Sequence, residues 1–117
     1  MADHHERRRH FRGKPRPGRV LEIRHRAAGA AWCLATTRNI GVGGAFIEGG
    51  ADLRTGLELE LELRLPGSDL WRPLNAIVRR IEAGPPPGFG VEFIDVEVDV
   101  LLELNDYFAS LTGSEAE

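Results

Sequence analysis

The sequence predicts an all-β domain finished by one helix, a small barrel or sandwich with the helix packed on it. Three observations carry this. Residues 57–65 read Leu-Glu-Leu-Glu-Leu-Glu-Leu-Arg-Leu, a strict alternation at period two. Elsewhere short apolar runs are cut at close spacing by Gly- and Pro-containing clusters. Beyond residue 97 the apolar spacing lengthens to three and four.

Residues 1–17 read as a flexible basic arm, because Pro15 and Pro17 each remove an N–H donor and restrict the residue before them. A β-body follows over residues 18–96, and a helix with its tail over 97–117. Within the body, Arg19–Ala27 alternates loosely, with Leu21, Ile23 and His25 on one side and Val20, Glu22 and Arg24 on the other. Ala28-Gly29 is a turn candidate, and Ala31–Ile40 a second strand with Trp32 and Leu34 opposite Cys33 and Ala35. Gly41-Val42-Gly43-Gly44 breaks that strand, and Ala45–Glu48 is a short third one before Gly49-Gly50. The run at 57–65 places five Leu on one face and charges on the other, a half-buried strand; on a helix the same letters would smear Leu around the cylinder. Leu70–Glu82 and Gly88–Ile94 are the remaining strands. The helix is expected from about Glu97 to Leu111, ending near Gly113, with Val98, Leu101, Leu102, Asn105, Phe108 and Leu111 on its apolar stripe and Leu104 and Tyr107 beside them.

A chain of 117 residues holds one domain with one core. With Cys33 as the single cysteine, neither a disulfide framework nor a Cys-rich zinc site fits within one chain. No apolar stretch is long enough for membrane insertion and no secretory h-region is visible, so a cytoplasmic protein is expected. The net charge of −3 hides a split. Residues 1–26 carry nine Lys/Arg against three acids, and residues 27–117 carry six Arg against 15 acids. A basic arm on an acidic body can bind nucleic acid, an anionic surface, a phosphorylated small molecule, or the body itself.

The arm concentrates Arg7, Arg8, Arg9 and Arg12. Each guanidinium is a planar fork matching phosphate oxygens or a guanine edge. His4, His5 and His10 with Asp3 fit no metal-site spacing, so no metal is expected. Cys33, Trp32 and Trp71, on alternating strands, are expected in the core. Of Arg79 and Arg80, one should face outward near the barrel mouth, and Arg79 is taken as that residue. No Ser/His/Asp set, framed pair of carboxylates or phosphate-cradling helix start is present, so an enzyme is not expected.

The second segment of interest is Asn39-Ile40-Gly41-Val42-Gly43-Gly44-Ala45-Phe46-Ile47. Taken with Arg8 and Arg12, it resembles the PilZ domain, the bacterial receptor for cyclic di-GMP, marked by R-x-x-x-R in an N-terminal arm and [D/N]-x-S-x-x-G at a later turn. Gly88-Phe89-Gly90-Val91-Glu92-Phe93 resembles that family's late G-x-G-V-x-F strand. The likeness covers residues 6 to about 111. It implies a six-stranded antiparallel β-barrel with a C-terminal helix, and an arm that clamps cyclic di-GMP over the barrel mouth. It further implies that Arg8 and Arg12 contact phosphates and guanine edges, that Arg7 or Arg9 adds stacking or charge, that Asn39 accepts from a guanine, and that Gly44 permits close approach. No resident cofactor is implied.

One departure stands out: the family's serine is Gly41 here. A lost hydrogen bond to a charged acceptor is worth roughly 1.5–3 kcal/mol, about 10- to 150-fold in affinity. The expected function is a stand-alone cyclic di-GMP receptor signalling to an effector protein. The alternative is an adaptor that has lost the nucleotide and works through protein contacts alone. DNA or RNA binding is disfavoured, because the acidic body would repel a long polyanion.

Overall fold

The computed structural model describes residues 20–50 and 52–115. Six strands, β1 (Glu22–Arg26), β2 (Cys33–Ile40), β3 (Gly44–Glu48), β4 (Glu58–Arg64), β5 (Arg72–Glu82) and β6 (Gly88–Ile94), precede the helix α1 (Val98–Glu115). They close a barrel in the order β1-β2-β3-β6-β5-β4, every pairing antiparallel. The barrel is thus two three-stranded meanders, β1-β2-β3 and β4-β5-β6, joined along β3–β6 and β1–β4.

The alternating run behaves as its period demands. Leu59, Leu61 and Leu63 are 2%, 1% and 0% exposed, while their charged neighbours face outward. Ile23 and His25 of β1, with Leu21 just before it, share one side and that side points in, and Phe89 fills the interior from β6. His25 meets the Phe89 ring edge-on at 5.2 Å.

The polar face of β4 answers that of β1 residue for residue. Glu22 stands opposite Arg64, Arg24 opposite Glu62 and Arg26 opposite Glu60. All three are ion pairs, with Nε–O distances of 2.8 Å. Two tryptophans slot between these guanidiniums. Arg26 lies 4.2 Å from the Trp32 ring, Arg24 is 4.9 Å from Trp32 and 4.5 Å from Trp71, and Arg64 is 4.7 Å from Trp71. The result is a stack, Arg26–Trp32–Arg24–Trp71–Arg64, on the outside of the seam.

Three sequence expectations need correction. Trp32 and Trp71 are half-buried in this outer stack rather than in the core. Cys33 is exposed because it is the first residue of β2: it shares the face of Ala35 and Thr37 and pairs with buried His25, but lies at the strand's end, where nothing among the described residues covers it. In α1 the buried residues are Val100, Leu104 and Phe108, with Leu101, Tyr107 and Leu111 beside them; Val98 and Leu102 are 70% and 57% exposed and Asn105 is exposed. On the neighbouring face, Arg72 of β5 reaches Asp99 at 3.2 Å and Glu103 at 2.8 Å, one turn apart on the helix. The helix also continues through Gly113 to Glu115, since one glycine costs only about 1 kcal/mol in a helix.

Burial lowers the pKa of His25 from its ordinary value. The unfolded chain therefore binds a proton here before the folded one does. Stability is full above the unfolded pKa of about 6.5 and falls as pH drops below it, until the lowered folded value is reached. Unfolding free energies measured in urea between pH 7.5 and 5.5 should decline more steeply for the native chain than for His25→Leu. Equal slopes would show that His25 takes its proton without opposing the fold.

Candidate functional site

Two irregularities in the sheet lie close together, and each has an arginine as its extra residue. Between β2 and β3 the pairing passes from Thr37↔Ile47 to Asn39↔Phe46, leaving Arg38 as the bulge. Between β5 and β6 it passes from Val78↔Val91 to Arg80↔Gly90, leaving Arg79. A bulge adds a residue, bends the strand and re-aims side chains. Here it breaks the alternation of β5, so that Arg79 and Arg80, although consecutive, are both exposed.

An open cleft of about 520 Å³ runs across these bulges, within the range of small-molecule sites. Its lining includes Arg38, Asn39, Gly41, Gly44, Phe46, Arg79, Arg80 and Glu82. Four residues singled out in the sequence, Asn39, Gly41, Gly44 and Arg79, therefore come together. Arg7, Arg8, Arg9 and Arg12 lie outside the described residues. Arg38 and Phe46 carried no expectation of a role; the broken alternation at Arg79-Arg80 was a visible signal of one bulge, but nothing in the local pattern marks the other.

Phe46 is the platform of the cleft. Its inward neighbour Ile47 is wholly buried, so Phe46 lies on the outer face, over β6. A Cβ on Gly88 would come within 2.5 Å of its ring, and Gly90 lies beneath it at ordinary contact distance. The two glycines of the Gly-Phe-Gly run thus serve two rings at once: Phe89 turns inward and Phe46 packs over the glycines outside. Two guanidiniums gather at the same ring, Arg38 at 4.8 Å and Arg80 at 5.3 Å from its centroid.

Each arginine of the cleft also has a carboxylate: Arg38 has Glu48 at 3.3 Å, Arg79 has Glu92 at 2.8 Å, and Arg80 has Glu82 at 3.2 Å. Asn39 Oδ1 accepts the Ile40 N–H at 3.0 Å, which orients the side chain and leaves a second lone pair on that oxygen. Chemically the cleft offers planar cations, an amide and an aromatic face, a set that suits an anion carrying a planar ring.

The glycine turn is built by the sheet. Gly41 N–H donates to Gly44 O at 2.9 Å, and Phe93 N–H to Gly43 O at 2.9 Å. A Cβ on Gly44 would sit 2.2 Å from the carbonyl oxygen of Val91, so glycine is required there by β6 whatever binds. Gly41 differs: a Cβ there meets nothing within 4 Å, and its φ is not positive. Its bare backbone is not a steric necessity.

Among the described residues no group of His, Cys, Asp and Glu is placed to hold a metal ion, and no helix is long and apolar enough to cross a membrane.

The family model described as the PilZ domain matches residues 6–110. No curated protein matches the chain in sequence. Among solved structures it is similar to the Bacillus subtilis inhibitor of motility, MotI/DgrA, with a TM-score of 0.71 at 20% identity over 86% of this chain. The match covers 50% of that protein's chain, so the likeness is of fold to one half of it.

The glycines of the turn should separate cleanly in thermal melts without ligand. Gly44→Ala is expected to destabilise the fold by about 2 kcal/mol or more, from backbone overlap with β6. Gly41→Ser should leave the unfolding free energy within about half a kcal/mol of the native chain's. A tolerant Gly44 would mean that β3 and β6 can part without loss.

Proposed function

The chain belongs to the PilZ domain family, and we propose that it is a receptor for cyclic di-GMP, which it holds between its N-terminal arginine arm and the cleft on β2, β3, β5 and β6. The observation that carries this is where the arm is rooted. Leu21 N–H donates to Thr37 Oγ1 and Thr37 N–H donates to Leu21 O, each at 2.9 Å. The residues after Thr37 are Arg38 and Asn39, both in the cleft wall. Val20, the first described residue, therefore stands next to the strand that carries Arg38 and Asn39. Arg12 is eight residues back from Val20, and eight residues of chain reach at most about 26–29 Å.

In this reading Arg8 and Arg12 supply forks to phosphates and guanine edges, with Arg7 or Arg9 adding charge or a stacking plane. Asn39 uses the free lone pair of Oδ1 on a guanine N–H. Arg79 and Arg80 face the second base or phosphate across the Phe46 platform. Ordering the arm over the cleft would change the surface offered to an effector protein, and that differential contact is what a switch requires. The role is binding and relay rather than catalysis, and its setting is the cytoplasm.

A second reading, an adaptor without nucleotide, is favoured by Gly41 standing where the motif serine belongs. The cleft has space for that serine, so the deficit is reversible by substitution.

Calorimetric titration with cyclic di-GMP, with GTP and cyclic di-AMP as controls, decides between the two. Arg8→Ala and Arg12→Ala should each weaken binding by roughly 2 kcal/mol, about 30-fold, while Arg16→Ala, which removes the same charge outside the motif, changes it little. Gly41→Ser should tighten binding. Equal losses for all three arginines would reduce the arm to diffuse charge; no binding by the native chain or by Gly41→Ser would leave the adaptor.

A further inference from the structure

The cleft carries its own anion. Among the described residues that line it, Arg38, Arg79 and Arg80 are cations and Glu82 is the single acid. The three arginines are not held alike. Arg38 has a side chain only 10% exposed, lies against Phe46, pairs with Glu48 and donates weakly to the carbonyls of Pro86 and Pro87. It is fixed by the Pro turn. Arg79 pairs with Glu92, which does not line the cleft. Arg80 is 49% exposed; it rests on the Phe46 ring, and its carboxylate partner is Glu82, two residues along the same strand. That pair joins no two elements of the barrel, so the fold gains little from it, and such exposed pairs are weak.

Resting on the cyclic di-GMP reading, we propose that Glu82 is a tethered competitor for Arg80, holding its guanidinium until a ligand phosphate displaces the carboxylate. A bound phosphate must both take the fork of Arg80 and tolerate Glu82 close by. Glu82 therefore lowers affinity for every anion, and most for those with a single charged group, since only a ligand engaging the other arginines at the same time recovers the loss. It acts as a specificity-determining residue, favouring a ligand with two separate phosphates over a mononucleotide whose charge sits on one phosphate group.

The test is titration of cyclic di-GMP into the full chain, Glu82→Gln, Arg80→Ala, the double variant, and Asp106→Asn on the exposed face of α1 as a charge control. Glu82→Gln should tighten binding roughly 3- to 10-fold, from loss of the competing pair and of the repulsion. The gain should vanish in the Arg80→Ala background, and Asp106→Asn should show none. Binding that appears only with Glu82→Gln would also support the competitor. An unchanged or weaker affinity in Glu82→Gln, or an equal gain with and without Arg80, would overturn it while leaving the receptor reading in place. Absence of binding in the native chain and every variant would overturn both.

Discussion

The barrel closes because β1 and β4 meet in one register. They are the outer strands of the two meanders, and their pairing joins residues about forty positions apart in the chain. Leu59, Leu61 and Leu63 face inward only in registers of one parity, since a slip of one residue would turn the leucines out. Charge disfavours the neighbouring even registers. A slip of two in one direction sets Glu22 against Glu62, and in the other sets Arg24 against Arg64. In the observed register all three charged cross-strand pairs are of opposite sign, and the two tryptophans seal them from outside. One such exposed ion pair is worth at most about 1 kcal/mol, but three in register with shared aromatic faces form a network rather than isolated contacts.

With that seam set, the opposite wall is free to depart from regularity. Both bulges fall there, and both present arginine. The glycines of β3 and β6 let backbones and rings approach at distances a side chain would forbid: Gly44 against the Val91 carbonyl and Gly88 against Phe46. The cleft is thus a product of sheet geometry. Its glycines are explained by packing before any ligand is considered, and its arginines stand where the alternation is broken.

Much of this was legible in the chain because it depends on local period. The strand at 57–65 needs only five leucines at odd positions, and the turns need only Gly and Pro. The helix was visible as a period but not as a phase: Val98 and Leu102 are as apolar as Val100 and Leu104, and which stripe is buried depends on packing against strands distant in sequence. Trp32, Trp71 and Cys33 were misplaced for a related reason. An apolar residue near a strand end is assigned inward by hydropathy, whereas the cations that cover the tryptophans belong to β1 and β4. At the site, Asn39 and the glycines were legible as a motif. Arg38 and Phe46 were not, since a bulge in β2 and an outer platform on β6 are properties of pairing, not of spacing.

The two meanders meet along seams of opposite chemistry, and this bears on how the chain is made. The first meander leaves the ribosome before the second exists, with β1 and β3 as unpaired edges. The β1 edge is Glu-Ile-Arg-His-Arg, rich in charge, and charged edges resist pairing with other chains. The β3 edge is Gly-Ala-Phe-Ile-Glu, nearly bare, and its partner β6 is the last strand to be synthesised. The wall that carries the cleft is therefore the wall that stays open longest during synthesis. Its hazard is edge-to-edge association of nascent chains through β3, and the late Gly-Phe-Gly strand that completes the cleft also removes that hazard.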